Sequence, residues 1–146
     1  MPTAQSVLAQ KSVELVTISP DATVREAAAI MNERHIGALV VTRGGEPVGM
    51  FTERDILRRV VAADRDPSKS RVGELMTAPL TCCKPDSKLT ECQALMTDRR
   101  IRHLPVIDGP RLLGMLSAGD IMAFESASQR TTIEYMQEYI GLSHNG

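Results

Sequence analysis

The apolar residues of the chain come in short blocks whose spacing alternates between a period of two and a helical period. Val16 to Ile18 is an apolar run stopped by Pro20-Asp21, where the proline removes a backbone donor and the pair turns the chain. A helix follows, because Val24, Ala27, Ala28 and Met31 form an apolar stripe, with Thr23 placed to cap it and Glu26 to complete a capping box. Ala38 to Thr42 and Val48 to Thr52 read as two strands joined by a turn at Gly44-Gly45, and a helix runs from about Glu53 to Ala62. The same order then returns. A strand Thr81 to Cys83 is stopped by Pro85-Asp86, and a helix opened by Asp86 or Ser87 carries Leu89, Cys92 and Met96. Strands His103 to Ile107 and Leu112 to Ser117 flank Gly109-Pro110, and a last helix runs from about Ala118 to Ser126. Each unit is predicted as β-α-β-β-α, a small mixed sheet with two helices on one face, in the α/β class and of α+β type.

The recurrence is a tandem duplication. At an offset of 65 residues, 15 of the 42 positions from Leu15 to Ile56 are identical without a gap, where average composition gives roughly three. Among them are Pro20-Asp21 on Pro85-Asp86, Ile36 on Ile101, Gly49-Met50 on Gly114-Met115 and Asp55-Ile56 on Asp120-Ile121. Units of about 60 residues struggle to stabilise themselves alone, so the two are expected to share one core. The first repeat is placed at residues 7–66 and the second at 72–126, with a linker at 67–71 inside a charged, small-residue stretch. Val7 to Lys11 is expected to lead into the first repeat and Val72 to Met76 into the second. Residues 127–146 are read as a helical tail whose stripe of Ile133, Met136, Gln137 and Ile140 packs on the second repeat or on a partner chain.

Composition narrows the function. The 17 basic and 18 acidic residues leave a net charge of −1, and only Phe51, Phe124, Tyr135 and Tyr139 could stack on bases, so nucleic acid is not expected as a main partner. Three cysteines without C-x-x-C spacing and without a signal-peptide pattern predict a reducing, cytoplasmic setting. No apolar run approaches the roughly 18 residues of a membrane span, so no membrane partner is expected. Cys82 and Cys83, adjacent on a strand, point to opposite faces and cannot chelate one metal. His35, His103 and His144 have no ligand-spaced neighbours, no nucleophile–base set is recognisable, and the eight methionines read mostly as core. No catalytic residue, metal or catalytic cofactor is predicted.

Two words stand at equal positions of the repeats, each between a strand and a helix. They are Gly49-Met50-Phe51-Thr52-Glu53-Arg54-Asp55 and Gly114-Met115-Leu116-Ser117-Ala118-Gly119-Asp120, both G-x-x-[ST]-x-x-D. A hydroxyl at such a junction lies beside free helix N–H groups that favour a phosphate, and an acceptor-only carboxylate three residues on suits the two hydroxyls of a ribose. The same residues have a plainer use, with Thr52 and Ser117 as N-caps and Asp55 and Asp120 as first-turn acids.

With Ile101-Arg102-His103-Leu104-Pro105-Val106 as a strand entry, residues 7–126 resemble the CBS-domain pair, or Bateman module, of the stand-alone bacterial type. The resemblance implies an adenosyl nucleotide, AMP, ADP, ATP or NAD(H), bound in the cleft between the repeats. It implies a first site with Ser117 and Asp120 at the sugar-phosphate end, Arg102 and His103 on phosphate, and an adenine wall of Leu15, Val16, Ile36, Gly37 and Ala38. A second site would use Thr52 and Asp55 for the sugar and Leu80, Thr81, Ile101 and His103 for the base. Where the second repeat has Arg102-His103 the first has Gly37-Ala38, so the Thr52/Asp55 site is expected to lack the equivalent phosphate cations and to take a less charged or dinucleotide ligand, to recruit Arg54, or to stand empty. The Ser117/Asp120 site is therefore the favoured mononucleotide site. The expected function is a non-enzymatic regulatory sensor, a homodimer reporting energy or redox state to an unknown regulated protein. A purely structural dimerisation module, or a regulatory subunit of a separate enzyme, are the competing readings.

Overall fold

The computed structural model describes residues 1–11 and 15–139, the side chains of 130–135, 138 and 139 excepted. The elements are α1 (Ala4–Gln10), β1 (Thr17–Ile18), α2 (Val24–Arg34), β2 (Ala38–Arg43), β3 (Glu46–Thr52) and α3 (Glu53–Asp55), the last running into a π-helix (Ile56–Val61). Then come α4 (Val72–Leu75), α5 (Leu89–Arg99), β4 (His103–Asp108), β5 (Arg111–Ser117) and α6 (Ala118–Tyr139). β1 pairs parallel with β2 and β2 antiparallel with β3, while β4 and β5 form an antiparallel pair. Both hairpins shift register at the same repeat position, between Val41 and Thr42 and between Val106 and Ile107.

Local chemistry explains most boundaries. The Thr23 hydroxyl accepts the Glu26 N–H at 3.1 Å while the Thr23 N–H donates to Glu26 Oε2 at 3.1 Å, the capping box foreseen. α2 and α5 both end on a left-handed residue, His35 (φ 54°) and Arg100 (φ 55°), which lets the Ile36 and Ile101 N–H groups bond back to Met31 and Met96. Three expectations need correction. The strand Thr81 to Cys83 is only a single parallel bridge, Cys83 to Val106. Thr77 upstream exchanges two backbone bonds with Met50 of the first repeat (2.8 and 3.0 Å), and Pro79 and Pro85 bracket the run, so little free backbone is left to pair. Neither Asp86 nor Ser87 caps α5: the cap position is Lys88, and the Ser87 hydroxyl accepts the Lys84 N–H (3.0 Å) in the preceding turn. The last helix does not stop at Ser126, because no Gly or Pro occurs from Ile121 to Tyr139, and the tail continues α6.

The lead-in segments are exchanged. α1 packs on the second repeat, where Ala4 and Val7 join Leu89, Cys92, Leu104 and Leu116, and its N–H groups at Ala4 and Gln5 bond to the carbonyls of Ser87 and Pro85 (both 2.9 Å). α4 packs on the first repeat, where Val72 and Leu75 join Leu39, Val41 and Phe51, and Val72 and Gly73 N–H bond to Ala22 and Pro20 O (2.9 and 2.8 Å). Each segment leads into its repeat along the chain but packs on the other one. Glycine at the head of each G-x-x-[ST]-x-x-D word permits the crossing. A Cβ on Gly49 would lie 2.6 Å from Met76 Sδ and 2.9 Å from Thr77 O, and one on Gly114 would lie 3.0 Å from Leu8 Cδ2.

Instead of one shared core there is a cluster in each repeat and a third between them. β2 is buried on both faces: Leu39 and Val41 face α2 and α4, whereas Ala38 and Val40 meet Met50, Leu80, Leu112 and Met115. Burying a side chain such as Phe51, Leu39 or Leu104, all fully inaccessible, contributes about 1.5–3 kcal/mol each. The linker is also tied down, since Ser70 is buried, its carbonyl accepts from Val24 N–H at 2.9 Å, and Pro67 O accepts from Arg25 N–H at 3.1 Å. Met31, Met50 and Met96 are core as expected, but Met122 and Met136 are exposed. Of the tail stripe, the side chains of Ile133 and Ile140 lie outside the described residues. Among the described residues no helix is long and apolar enough to cross a membrane.

Candidate functional site

Each G-x-x-[ST]-x-x-D word folds as a capping box. Thr52 N–H donates to Asp55 Oδ2 (2.9 Å) and its hydroxyl to the same oxygen (3.2 Å), while Asp55 N–H donates to Thr52 Oγ1 (3.3 Å). Ser117 N–H donates to Asp120 Oδ2 (2.9 Å) and Asp120 N–H to Ser117 Oγ (2.9 Å). The N-cap role is therefore met in both copies, and one oxygen of each carboxylate is committed to it.

Around the first box lies a cleft of ≈ 640 Å³ that both repeats line. Of the residues assigned by sequence to the second site, Thr52, Asp55, Leu80, Thr81, Ile101 and His103 all border it. From the first-site set, Gly37, Arg102, His103 and Ser117 border the same cleft, whereas Asp120, Leu15, Val16, Ile36 and Ala38 do not. Ala38 is buried in the inter-repeat cluster, and Val16 and Ile36 pack on the first repeat's core. Leu15 is half-buried on the lead to β1.

The cleft holds Arg54, the cation left open by the sequence, and others besides. Arg54, Arg58 and Arg59 from the first repeat and Arg100 and Arg102 from the second line the cleft, against Glu53 and Asp55. Gly37-Ala38 contributes no cation, but the helix after Thr52 and the second repeat do. Arg59 is partly committed: Nη1 donates to the carbonyls of Leu75 (2.9 Å) and Met76 (3.2 Å), and Nε stands 3.7 Å from Asp55 Oδ1. Thr77 Oγ1 also reaches Asp55 Oδ1 at 3.4 Å. The Glu53 carboxylate lies over Gly37, where a Cβ would come within 3.0 Å of Oε1. At the equivalent place the second repeat pairs Arg102 with Ala118, which leaves room for the arginine. Arg58 and Arg59 escaped sequence reading because the segment passed for an ordinary surface helix. The π-turn there, with Ala62 N–H bonded to Leu57 O at 2.9 Å, leaves no mark in the apolar spacing.

The second box is differently held. Lys11, at the C-terminal cap of α1, places its ammonium 2.8 Å from Asp120 Oδ2 and 2.6 Å from the Met115 carbonyl. Burial alone would raise the Asp120 pKa, but Lys11 and the Ser117 N–H and hydroxyl outweigh it and hold the carboxyl below its usual value. Lys11 was missed because the contact depends on the lead-in exchange and spans more than a hundred residues. His103 stands between the two boxes. Burial lowers its pKa, with Glu53 and Asp120 pulling it up and Lys11 and Arg102 pushing it down, so it favours the neutral form. Cys83 and Cys92 bury their thiols together, and burial pushes Cys83 up to about 12, while Cys82 is exposed. Among the described residues no group of three or more His, Cys, Asp or Glu could hold a metal ion.

The model of the CBS domain matches residues 10–62 and 72–127. The chain is a CBS-domain pair. It is 37% identical over 125 residues to the mitochondrial CBS domain-containing protein CBSX3 of Arabidopsis thaliana, covering 82% of this chain and 61% of that one. It is 35% identical over 131 residues to CBS domain-containing protein YhcV of Bacillus subtilis, covering 87% of this chain and 93% of that one. A solved CBS-domain protein from Burkholderia ambifaria superposes with a TM-score of 0.84 at 39% identity, covering 88% and 96% of the two chains. A CBS pair solved with 5′-methylthioadenosine and S-adenosyl-L-methionine superposes with a TM-score of 0.77 at 22% identity over 88% and 98%, a likeness of fold.

Proposed function

We propose that this CBS pair is a regulatory sensor that binds an adenosyl nucleotide between its repeats, with the Thr52/Asp55 cleft as the primary site. The observation that carries this reading is the cleft itself: a hydroxyl–carboxylate box from one repeat faces Leu80, Thr81, Ile101 and His103 from the other, inside a rim of arginines. The box presents Asp55 as acceptor to sugar hydroxyls, the apolar residues supply a wall for the base, and the arginines meet phosphate. A related fold that holds methylthioadenosine and S-adenosylmethionine supports the adenosyl class. Ligand bridging the two repeats would favour one relative arrangement of them, and a regulated protein would read that arrangement. No catalytic step is assigned to this chain.

The homodimer belongs to the same reading. Leu57 and Met122 occupy equivalent positions in the two repeats, and both are exposed, at 59% and 66%. A second copy covering this two-part apolar face would bury it. Light scattering should give the mass of two chains, and a concentration-independent single-chain mass would overturn that part. For the nucleotide, mass spectrometry of small molecules released from denatured protein should find an adenosyl compound, and thermal shift should respond to one. At ligand one hundred times Kd the stabilisation is about 2.7 kcal/mol. No released adenosyl compound and no shift with adenosine, AMP, ATP or NADH would leave the dimerisation module as the better reading.

A further inference from the structure

We infer that the Thr52/Asp55 cleft selects a ligand with a chain of two or more phosphates over a monophosphate, a neutral nucleoside or a sulfonium. The inference rests on the adenosyl reading of the cleft and adds the charge class of the ligand. Five arginines and two carboxylates line the cleft, a formal excess of three positive charges in a chain whose net charge is −1. Five of the chain's 17 basic residues thus meet in one cleft. Arg59 and Asp55 are engaged with Thr52, Thr77 and the α4 carbonyls. Arg54, Arg58, Arg100 and Arg102 make no ion pair among the described residues.

Those four come in two pairs from opposite walls. Arg54 and Arg58 follow the first box on one helical face, and Arg100 and Arg102 flank Ile101 where α5 passes into β4. Arg100 occupies a left-handed position, φ 55°, that glycine would take without strain. One phosphate offers three terminal oxygens and satisfies one or two guanidinium forks, leaving the remaining arginines to repel one another in the cleft. A di- or triphosphate carries three to four negative charges at neutral pH along an extended chain, and it can engage both pairs at once. Such a chain ties the two repeats together through charge-assisted bonds, which an adenosine cannot do. S-adenosylmethionine adds a positive sulfonium to a site already in positive excess, so the cleft disfavours it.

The test is calorimetric titration of the full chain with adenosine, AMP, ADP, ATP, S-adenosylmethionine and inorganic tripolyphosphate, at low and physiological salt. ATP and ADP should bind at least tenfold tighter than AMP, and AMP tighter than adenosine, with the ATP affinity falling most as salt rises. In the Arg58→Gln, Arg100→Gly double variant the ATP-to-adenosine ratio should collapse by tenfold or more while adenosine binding stays. Circular dichroism and urea unfolding check that the variant is folded, and Arg58→Lys should restore part of the ratio. ATP binding no tighter than AMP, or an unchanged ratio in the folded double variant, would overturn the inference and leave the adenosyl reading standing. Tripolyphosphate binding as tightly as ATP, with no response to adenosine or AMP, would leave the phosphate-chain selection standing and remove the adenosyl reading.

Discussion

The Thr52/Asp55 and Ser117/Asp120 boxes share one construction and differ in what crosses over them. Asp55 is 8% exposed and takes its second oxygen's contacts from Thr77 and Arg59, neither of which closes the cleft. Asp120 is more open to solvent, and it is bound by the Lys11 ammonium. The crossing residue is the variable: Met76-Thr77 on the first repeat, Lys11 on the second, each delivered by the lead-in of the other repeat. The box is a capping device first, and the exchanged segment brings an ammonium to Asp120 but only the Thr77 hydroxyl to Asp55, whose neighbouring cation, Arg59, comes from its own helix.

The largest effect is expected from removing the two carboxylates in turn. Asp55→Ala strands the partly buried Thr52 N–H and hydroxyl and should cost about 1–3 kcal/mol of stability, besides abolishing nucleotide binding in the cleft. Asp120→Ala should cost less, because water reaches the groups it leaves, and should spare binding at Thr52/Asp55. Urea unfolding with ATP titration of both variants checks the pair. Equal stability losses would show that the two boxes are equally buried as caps, and loss of binding in Asp120→Ala alone would make the second box the working site.

Replacing the crossing cation with its repeat counterpart, Lys11→Met, frees Asp120. The nucleotide stoichiometry should rise from one site per chain towards two, read by calorimetry, with the stability of the chain changing by no more than about 1 kcal/mol, the range of a partly exposed ion pair. Unchanged stoichiometry with loss of fold would mean that Lys11 is only a strut.

Acid titration separates the boxes further. A carboxyl whose pKa is depressed in the folded state adds stability above its unfolded value, near 3.8, and loses it as pH falls through the lower folded value. Lys11→Met should therefore lose less stability than the wild type as pH falls from 5 to about 2, in urea titrations at each pH. His103 works in the other direction for ligand. Its folded pKa is lowered by burial, and a phosphate chain in the cleft would raise it, so binding takes up a proton and tightens as pH falls through the raised, ligand-bound value. His103→Gln should flatten that dependence, and a flat wild-type profile would remove His103 from the phosphate path.

The duplication was legible as identities at one offset of 65 residues, and the helix starts were legible because they depend on residues three apart, as Thr23 with Glu26 and Ser117 with Asp120 do. The pairing of Thr52, Leu80 and Ile101 in one cleft followed from the family resemblance, not from spacing. The exchange of α1 and α4 was not legible, since Val7 and Val72 are apolar on either packing and only the close approach at Gly49 and Gly114 betrays it. The Lys11 contact and the arginine excess followed the exchange and the π-turn into obscurity. Comparing Gly37-Ala38 with Arg102-His103 counted the cations of one strand entry and, beyond it, reached Arg54 but not Arg58 or Arg59 on the same helical segment.

The smallest effect is expected at the ends of α2 and α5, where the two repeats offer matched controls. His35 and Arg100 both hold the left-handed conformation, which costs a side-chain-bearing residue roughly 1 kcal/mol relative to glycine, offset in part by glycine's greater freedom in the unfolded chain. His35→Gly and Arg100→Gly should each raise stability by a few tenths to about 1 kcal/mol. His35 is exposed and lies outside the cleft, so its variant should bind ATP as the wild type does, whereas Arg100→Gly should weaken ATP. The pair thereby separates backbone relief from charge: equal stabilisation with unequal binding assigns the arginine to the ligand. Equal binding in both would place Arg100 among the helix-terminal cations, and the contrast between the two repeats would then rest on Lys11 alone.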